Sequence, residues 1–128
     1  MSAIAAFLYH DSLSRHTIRM DHPMRPVRLQ YTYDLLTAYK AFQDSSQPVA
    51  PRPATELEIT TFHTREYVDA VNSFSCGERT LDPARFNFST TGDNPIFRGM
   101  YEVALLSTGA SVVAAELIHK GEVETAFN

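Results

Sequence analysis

A chain of 128 residues and 14.4 kDa has the usual size of one domain and can hide roughly two-thirds of its unfolded surface. A hydrophobic fraction of 44% beside a charged fraction of 20% excludes a disordered or collagen-like chain. Eleven Lys and Arg against fifteen Asp and Glu leave a net charge of -4, so no basic excess holds phosphate backbones or anionic lipid, and neither nucleic acid nor a membrane is an expected partner.

Residues 3–9 form an apolar run that ends at His10-Asp11-Ser12. The run suits a first strand buried on both faces, as in a parallel α/β sheet. Residues 10–26 carry three His and two Pro with no sustained period and read as a long ordered loop, a kind of segment that is often functional. Over 27–42 the later apolar residues Leu35, Leu36, Tyr39 and Phe42 keep helical spacing, and Pro26 stands near the first turn. Residues 43–53 hold three Pro and are loop, with room for an extended stretch at 48–50.

Thr55 and Glu58 match a capping box, in which hydroxyl and carboxylate satisfy each other's free backbone N–H, so a short helix is expected over 56–62. A further helix starts at His63-Thr64-Arg65-Glu66 with Tyr67, Val68, Val71 and Phe74 on one face, and 75–83 reads as a polar connector. Asn94 suits an N-cap, Pro95 the first helical position and Gly121 a helix stop, which predicts the longest helix over 96–120. It is apolar around most of its circumference, and the small residues Ser107-Thr108-Gly109-Ala110-Ser111 imply close approach to a neighbour. Residues 123–128 read as a second buried strand. This order favours one α/β domain over 1–128 with right-handed crossovers.

The chemistry-bearing residues are sparse. His10, His16 and His22 recur every six residues, a spacing that fits metal-ligand geometry on neither helix nor strand. His63 reads as a structural hydrogen-bonding residue, and His119 as a favourable partial charge in the last turn of the long helix. The single Cys76 has no internal disulfide partner, which fits a reducing, cytoplasmic setting. No apolar run reaches the roughly 18 residues of a membrane helix, and residues 1–8 lack the basic start of a signal peptide. There is no glycine-rich phosphate loop, Gly-x-Ser-x-Gly elbow or Cys-x-x-Cys pair.

Two segments carry a resemblance. His22-Pro23-Met24-Arg25-Pro26-Val27-Arg28 before a helix resembles the early signature of the histone deacetylase superfamily, in the branch of class I and acetoin-utilisation deacetylases. Arg52-Pro53-Ala54-Thr55 through His63 and Tyr67 is similar to that family's R-x-A-T…H-x-x-x-Y segment. Phe86-Asn87, Gly92-Asp93-Asn94-Pro95 and Leu106 to Ser111 continue it in order.

The resemblance implies a partial arginase/deacetylase-like three-layer fold, with a short parallel sheet flanked by helices, and a zinc amidohydrolase acting on acetyl-lysine or acetylated small amines. It further implies an Asp-x-His pair, another Asp and a tandem His on a Gly-rich turn, all of them beyond residue 128. The expectation is therefore the N-terminal third of such an enzyme, with no catalytic residue, metal ligand or cofactor of its own, inactive alone. The alternatives are a non-catalytic oligomerisation or binding module, or half of a split enzyme completed by a complementary C-terminal chain. Carried over residue by residue, Asp93 matches a substrate-binding rim acid, Arg28 an Arg of the internal cavity, and Tyr9 an aromatic lining the same cavity.

Overall fold

The computed structural model describes residues 4–128. Three short parallel strands, β1 (Ala5–Leu8), β2 (Ser46–Val49) and β3 (Thr125–Phe127), lie in the order β2-β1-β3. Ala5 stands opposite Ser46 on one side and Thr125 on the other. Four α-helices connect them: α1 (Val27–Ala38), α2 (Glu56–Thr60), α3 (Arg65–Cys76) and α4 (Met100–His119). Two 3-10 turns cover Asp11–Leu13 and Pro83–Phe86. This is the expected α/β arrangement with a parallel sheet. The expected start of the first strand at residue 3 lies outside the described residues.

The faces of β1 are unlike each other. Ala6 and Leu8 are buried with Ala110 and Val123 beneath α4. On the other face Phe7 is only half-buried, stacked 5.5 Å from Phe127 and tilted against Phe42 at 5.6 Å. Burial on both faces was too strong an expectation, because α1 covers this side through rings such as Tyr33 and has no fully buried residue of its own. β2 is an edge strand, which admits Pro48, a residue that cannot donate to a ladder on both sides. A second core joins Ala70 and Phe74 of α3 to Phe86, Phe88 and Met100.

Helix ends explain most boundary differences. α1 stops at Ala38 rather than 42 because Lys40 takes a left-handed conformation (φ 56°), and the N–H groups of Lys40 and Ala41 return to the carbonyls of Thr37 and Leu36. α3 runs on through Ser75 and Cys76, which the sequence reading put in a connector, and closes the same way at Gly77 (φ 92°). α4 closes likewise at Gly121 (φ 71°), with Glu122 N–H on the Leu117 carbonyl. All three are Schellman closures, in which a left-handed residue lets two N–H groups satisfy orphan carbonyls.

The start of α4 differs more. It begins at Met100, not 96, and Asn94 is not its cap: the Asn94 amide donates to the Asn87 carbonyl at 2.9 Å. Gly99 (φ 82°) turns the chain in. α4 is by length and composition apolar enough to cross a membrane, a property that a search for uninterrupted apolar runs misses because of Ser107, Thr108 and Ser111. Here it packs on β1, β3 and α3. Gly109 explains how closely it packs: a Cβ there would collide with the Arg52 carbonyl oxygen and stand 2.6 Å from the Ala54 nitrogen.

Candidate functional site

The three loop histidines do three different jobs. His10 Nδ1 accepts the Ser12 N–H at 3.1 Å and caps the first 3-10 turn. His16 stacks flat on Phe97, 5.5 Å between ring centres, and burial pushes its pKa below the usual histidine range. His22 is buried; its Nδ1 accepts the Met24 N–H at 3.0 Å and its Nε2 meets the Asp93 carbonyl oxygen at 3.0 Å. His63 is exposed and stacks on Tyr67 at 5.3 Å, with no side-chain hydrogen bond among the described residues, so its expected hydrogen-bonding role gives way to ring packing.

Asp93 sits in a tight loop over residues 89–94. The Ser89 N–H donates to the Asn94 carbonyl at 3.1 Å, and the Gly92 N–H donates to Ser89 Oγ at 2.7 Å. A Cβ at Gly92 would meet Ser89 Oγ, so a larger residue there would turn the hydroxyl away from the Gly92 N–H. The Asp93 side chain is exposed and makes no hydrogen bond or ion pair among the described residues. Its loop borders an apolar cleft of about 430 Å³ between α3 and α4, whose walls include Asn94, Pro95, Tyr67, Val68, Phe97 and Tyr101.

Tyr9 is buried at the end of β1, its hydroxyl 3.0 Å from Ser14 Oγ and its ring stacked 4.5 Å from Tyr33. Burial raises its phenol pKa, and the bond to Ser14 opposes the shift in part. Arg28 lies in the first turn of α1, exposed, with no side-chain ion pair or hydrogen bond among the described residues. The fold therefore brings His22 to the backbone of Asp93, and does not join Tyr9 to Arg28 by any bond.

Arg52, part of the R-x-A-T segment, has a clear structural task. It donates two bonds to Glu58 at 2.8 and 2.9 Å and one to Glu116 of α4 at 3.1 Å. Glu58 also accepts the Thr55 N–H at 2.7 Å, completing the capping box foreseen from sequence. The hydrogen bonds from Arg52, then that from Thr55, hold the Glu58 carboxyl down to about 2. Sequence reading missed Arg19, whose guanidinium donates to the Gly92 carbonyl at 3.0 Å. No periodicity or motif marks it, because its partner is about seventy residues away in the chain.

Among the described residues no three His, Cys, Asp or Glu side chains are grouped to hold a metal ion. The donor set present here does not fit the zinc that the resemblance implies, and no step is assigned through it.

Residues 22–128 match the family model for the histone deacetylase domain. The chain is 33% identical over 124 residues to the acetoin utilization protein AcuC of Bacillus subtilis, covering 97% of this chain and 32% of that protein. It is 33% identical over 125 residues to histone deacetylase HDAC1 of Drosophila melanogaster, covering 95% and 23% respectively. Against histone deacetylase 1 of Homo sapiens it is 29% identical over 125 residues, 95% of this chain and 25% of the relative. The chain thus belongs to the histone deacetylase family. It spans between 23% and 32% of the length of these relatives.

Proposed function

We propose that this chain is the N-terminal, substrate-facing part of a zinc-dependent deacetylase for acetyl-lysine or acetylated small amines, and that it does not hydrolyse them by itself. The observation that carries this reading is a family match over most of the chain combined with a donor set that gathers no metal-holding group among the described residues. Its own contribution is the rim: the exposed Asp93 carboxylate accepts main-chain N–H groups of a bound substrate, while Tyr9 and Arg28 belong to the internal cavity side. Cytoplasmic residence belongs to the same reading, supported by the lone, exposed Cys76. The test is hydrolysis of an acetyl-lysine peptide with added zinc. Only background release is expected; turnover that a chelator abolishes overturns inactivity.

A second reading, an assembly module or one half of a split enzyme, is favoured by exposed area. The accessible surface is 8584 Å², whereas a self-contained protein of this mass shows about 6,800 Å². An excess of roughly 1,700 Å² is the share that one partner contributes to an obligate interface. A second copy or a complementary chain would cover it. Light scattering and a mixing assay decide between them: dimers or higher assemblies of the chain alone support the module, and deacetylation that appears only on mixing with a complementary chain supports the split enzyme.

A further inference from the structure

We infer that His22 and Arg19 are positioning residues for Asp93: from below they hold the 89–94 loop by its main-chain oxygens, leaving the carboxylate free to meet a ligand. His22 is 7% exposed. Because its Nδ1 accepts the Met24 N–H, the proton of the neutral ring stands on Nε2, and that N–H donates to the Asp93 carbonyl at 3.0 Å. One ring nitrogen therefore binds its own loop and the other binds the rim.

Arg19 repeats the grip one residue earlier. Its guanidinium donates to the Gly92 carbonyl at 3.0 Å and to the Thr90 carbonyl at 3.4 Å, while its Nε is held by Asp21. The carbonyls of 90, 92 and 93 are thus all taken by one distant segment. An exposed connecting loop needs no such partners, since water satisfies its carbonyls at little cost. Here a buried imidazole and a charged guanidinium are committed to them, and charge-assisted bonds are the stronger kind.

The geometry matches preorganisation of an acceptor. The main chain of the loop is fixed by its internal bonds, Ser89 to Asn94 and Gly92 to Ser89, and by this outer clamp. The Asp93 carboxylate, by contrast, makes no hydrogen bond or ion pair among the described residues. A peptide that presents main-chain N–H groups to that carboxylate then meets a loop whose ordering entropy is already lost, which strengthens binding without a new contact. The ligand half of this inference rests on the rim reading above; the clamp stands on the hydrogen bonds alone.

The experiment is amide exchange by NMR on the full chain, with ¹⁵N-histidine spectra alongside. The wild type should show His22 as the Nε2–H tautomer. His22→Ala should speed exchange at Gly92 and Ser89 by about tenfold or more while α3 and α4 keep their protection. His22→Gln, which keeps an acceptor and a donor, should restore most of that protection. Arg19→Gln, which leaves the buried ring untouched, should loosen Gly92 by a smaller factor, and Asp93→Asn should change nothing in the loop. Unchanged loop exchange in both His22→Ala and Arg19→Gln, an Nδ1–H tautomer, or no rescue by Gln overturns the clamp. An acetyl-lysine peptide should then shift the Asp93 amide in the wild type, less so in His22→Ala and not in Asp93→Asn. Absence of that shift in the wild type overturns the rim reading, while the exchange data still decide the clamp.

Discussion

Ser75, next to last in α3, caps the start of α4: its Oγ accepts the Tyr101 N–H at 3.1 Å and donates to the Glu102 carboxylate at 3.0 Å. α4 has no side-chain cap of its own, only Gly99 in a left-handed turn. One helix end therefore supplies what the next helix lacks, and the buried serine ties α3 to α4 beside the single core that holds both Phe74 and Met100. Ser75→Ala removes the acceptor and leaves the Tyr101 N–H without a partner. A loss of about 1–2 kcal/mol is expected, read as a fall in Tm of about 4–7 °C in a thermal melt. A melt within a degree of wild type would mean that water replaces the cap.

Gly109 is where α4 touches the 52–54 segment. The Leu105 carbonyl accepts the Ala54 N–H at 2.8 Å, and a Cβ on Gly109 would stand 2.7 Å from the Pro53 carbonyl carbon. Gly109→Ala raises helix propensity by about 1 kcal/mol, yet it drives α4 away from rigid backbone. We expect net destabilisation of about 1–3 kcal/mol in urea denaturation. A more stable variant would show that the segment yields freely.

Glu58 sets a pH dependence. Its folded pKa is held down to about 2, against an ordinary 4.5. The stability that it contributes is therefore complete above the ordinary Glu range and lost as pH falls through that range toward about 2. Denaturation midpoints of wild type and Glu58→Gln should differ most near neutral pH and converge as the solution is acidified. A gap that stays constant with pH would remove the carboxylate from the account.

Lys40 is a non-glycine residue at a left-handed helix closure, φ 56°. Such a conformation costs an L-residue about 1 kcal/mol relative to glycine, partly offset by glycine's freer unfolded chain. Lys40→Gly should raise the urea midpoint by the equivalent of about 0.5 kcal/mol, with an unchanged m-value. A lower midpoint would point to a role for the lysine side chain.

Local chemistry was legible in the sequence, and distant chemistry was not. The Thr55–Glu58 capping box and the Gly121 stop are written within a few residues and were read correctly. The small residues around Gly109 announced close approach without saying to what. The start of α4 was misplaced because its cap, Ser75, is supplied from a different helix and leaves no mark near Asn94 or Pro95. The end of α1 was missed because a lysine stands where glycine usually signals closure. For the site, Asp93 entered only through resemblance to a family, since a lone acid beside Asn-Pro is equally a loop residue. The grip of His22 on it joins segments far apart in sequence, and no spacing rule reaches that far.

The sheet order sets a constraint on how the chain acquires its shape. Among the described strands β1 precedes the other two in the chain and is the central one in space, paired to β2 on one side and to β3 on the other. During synthesis residues 5–7 emerge well before the partners for their open edge, Thr125–Phe127. Until that segment leaves the ribosome, the middle of the sheet is itself an edge, and non-local closure of this kind is slow. From the emergence of β1 until residues 125–127 are made, the nascent chain therefore carries one unpaired apolar strand edge, and exposure to wrong partners is greatest before the sheet closes rather than after it.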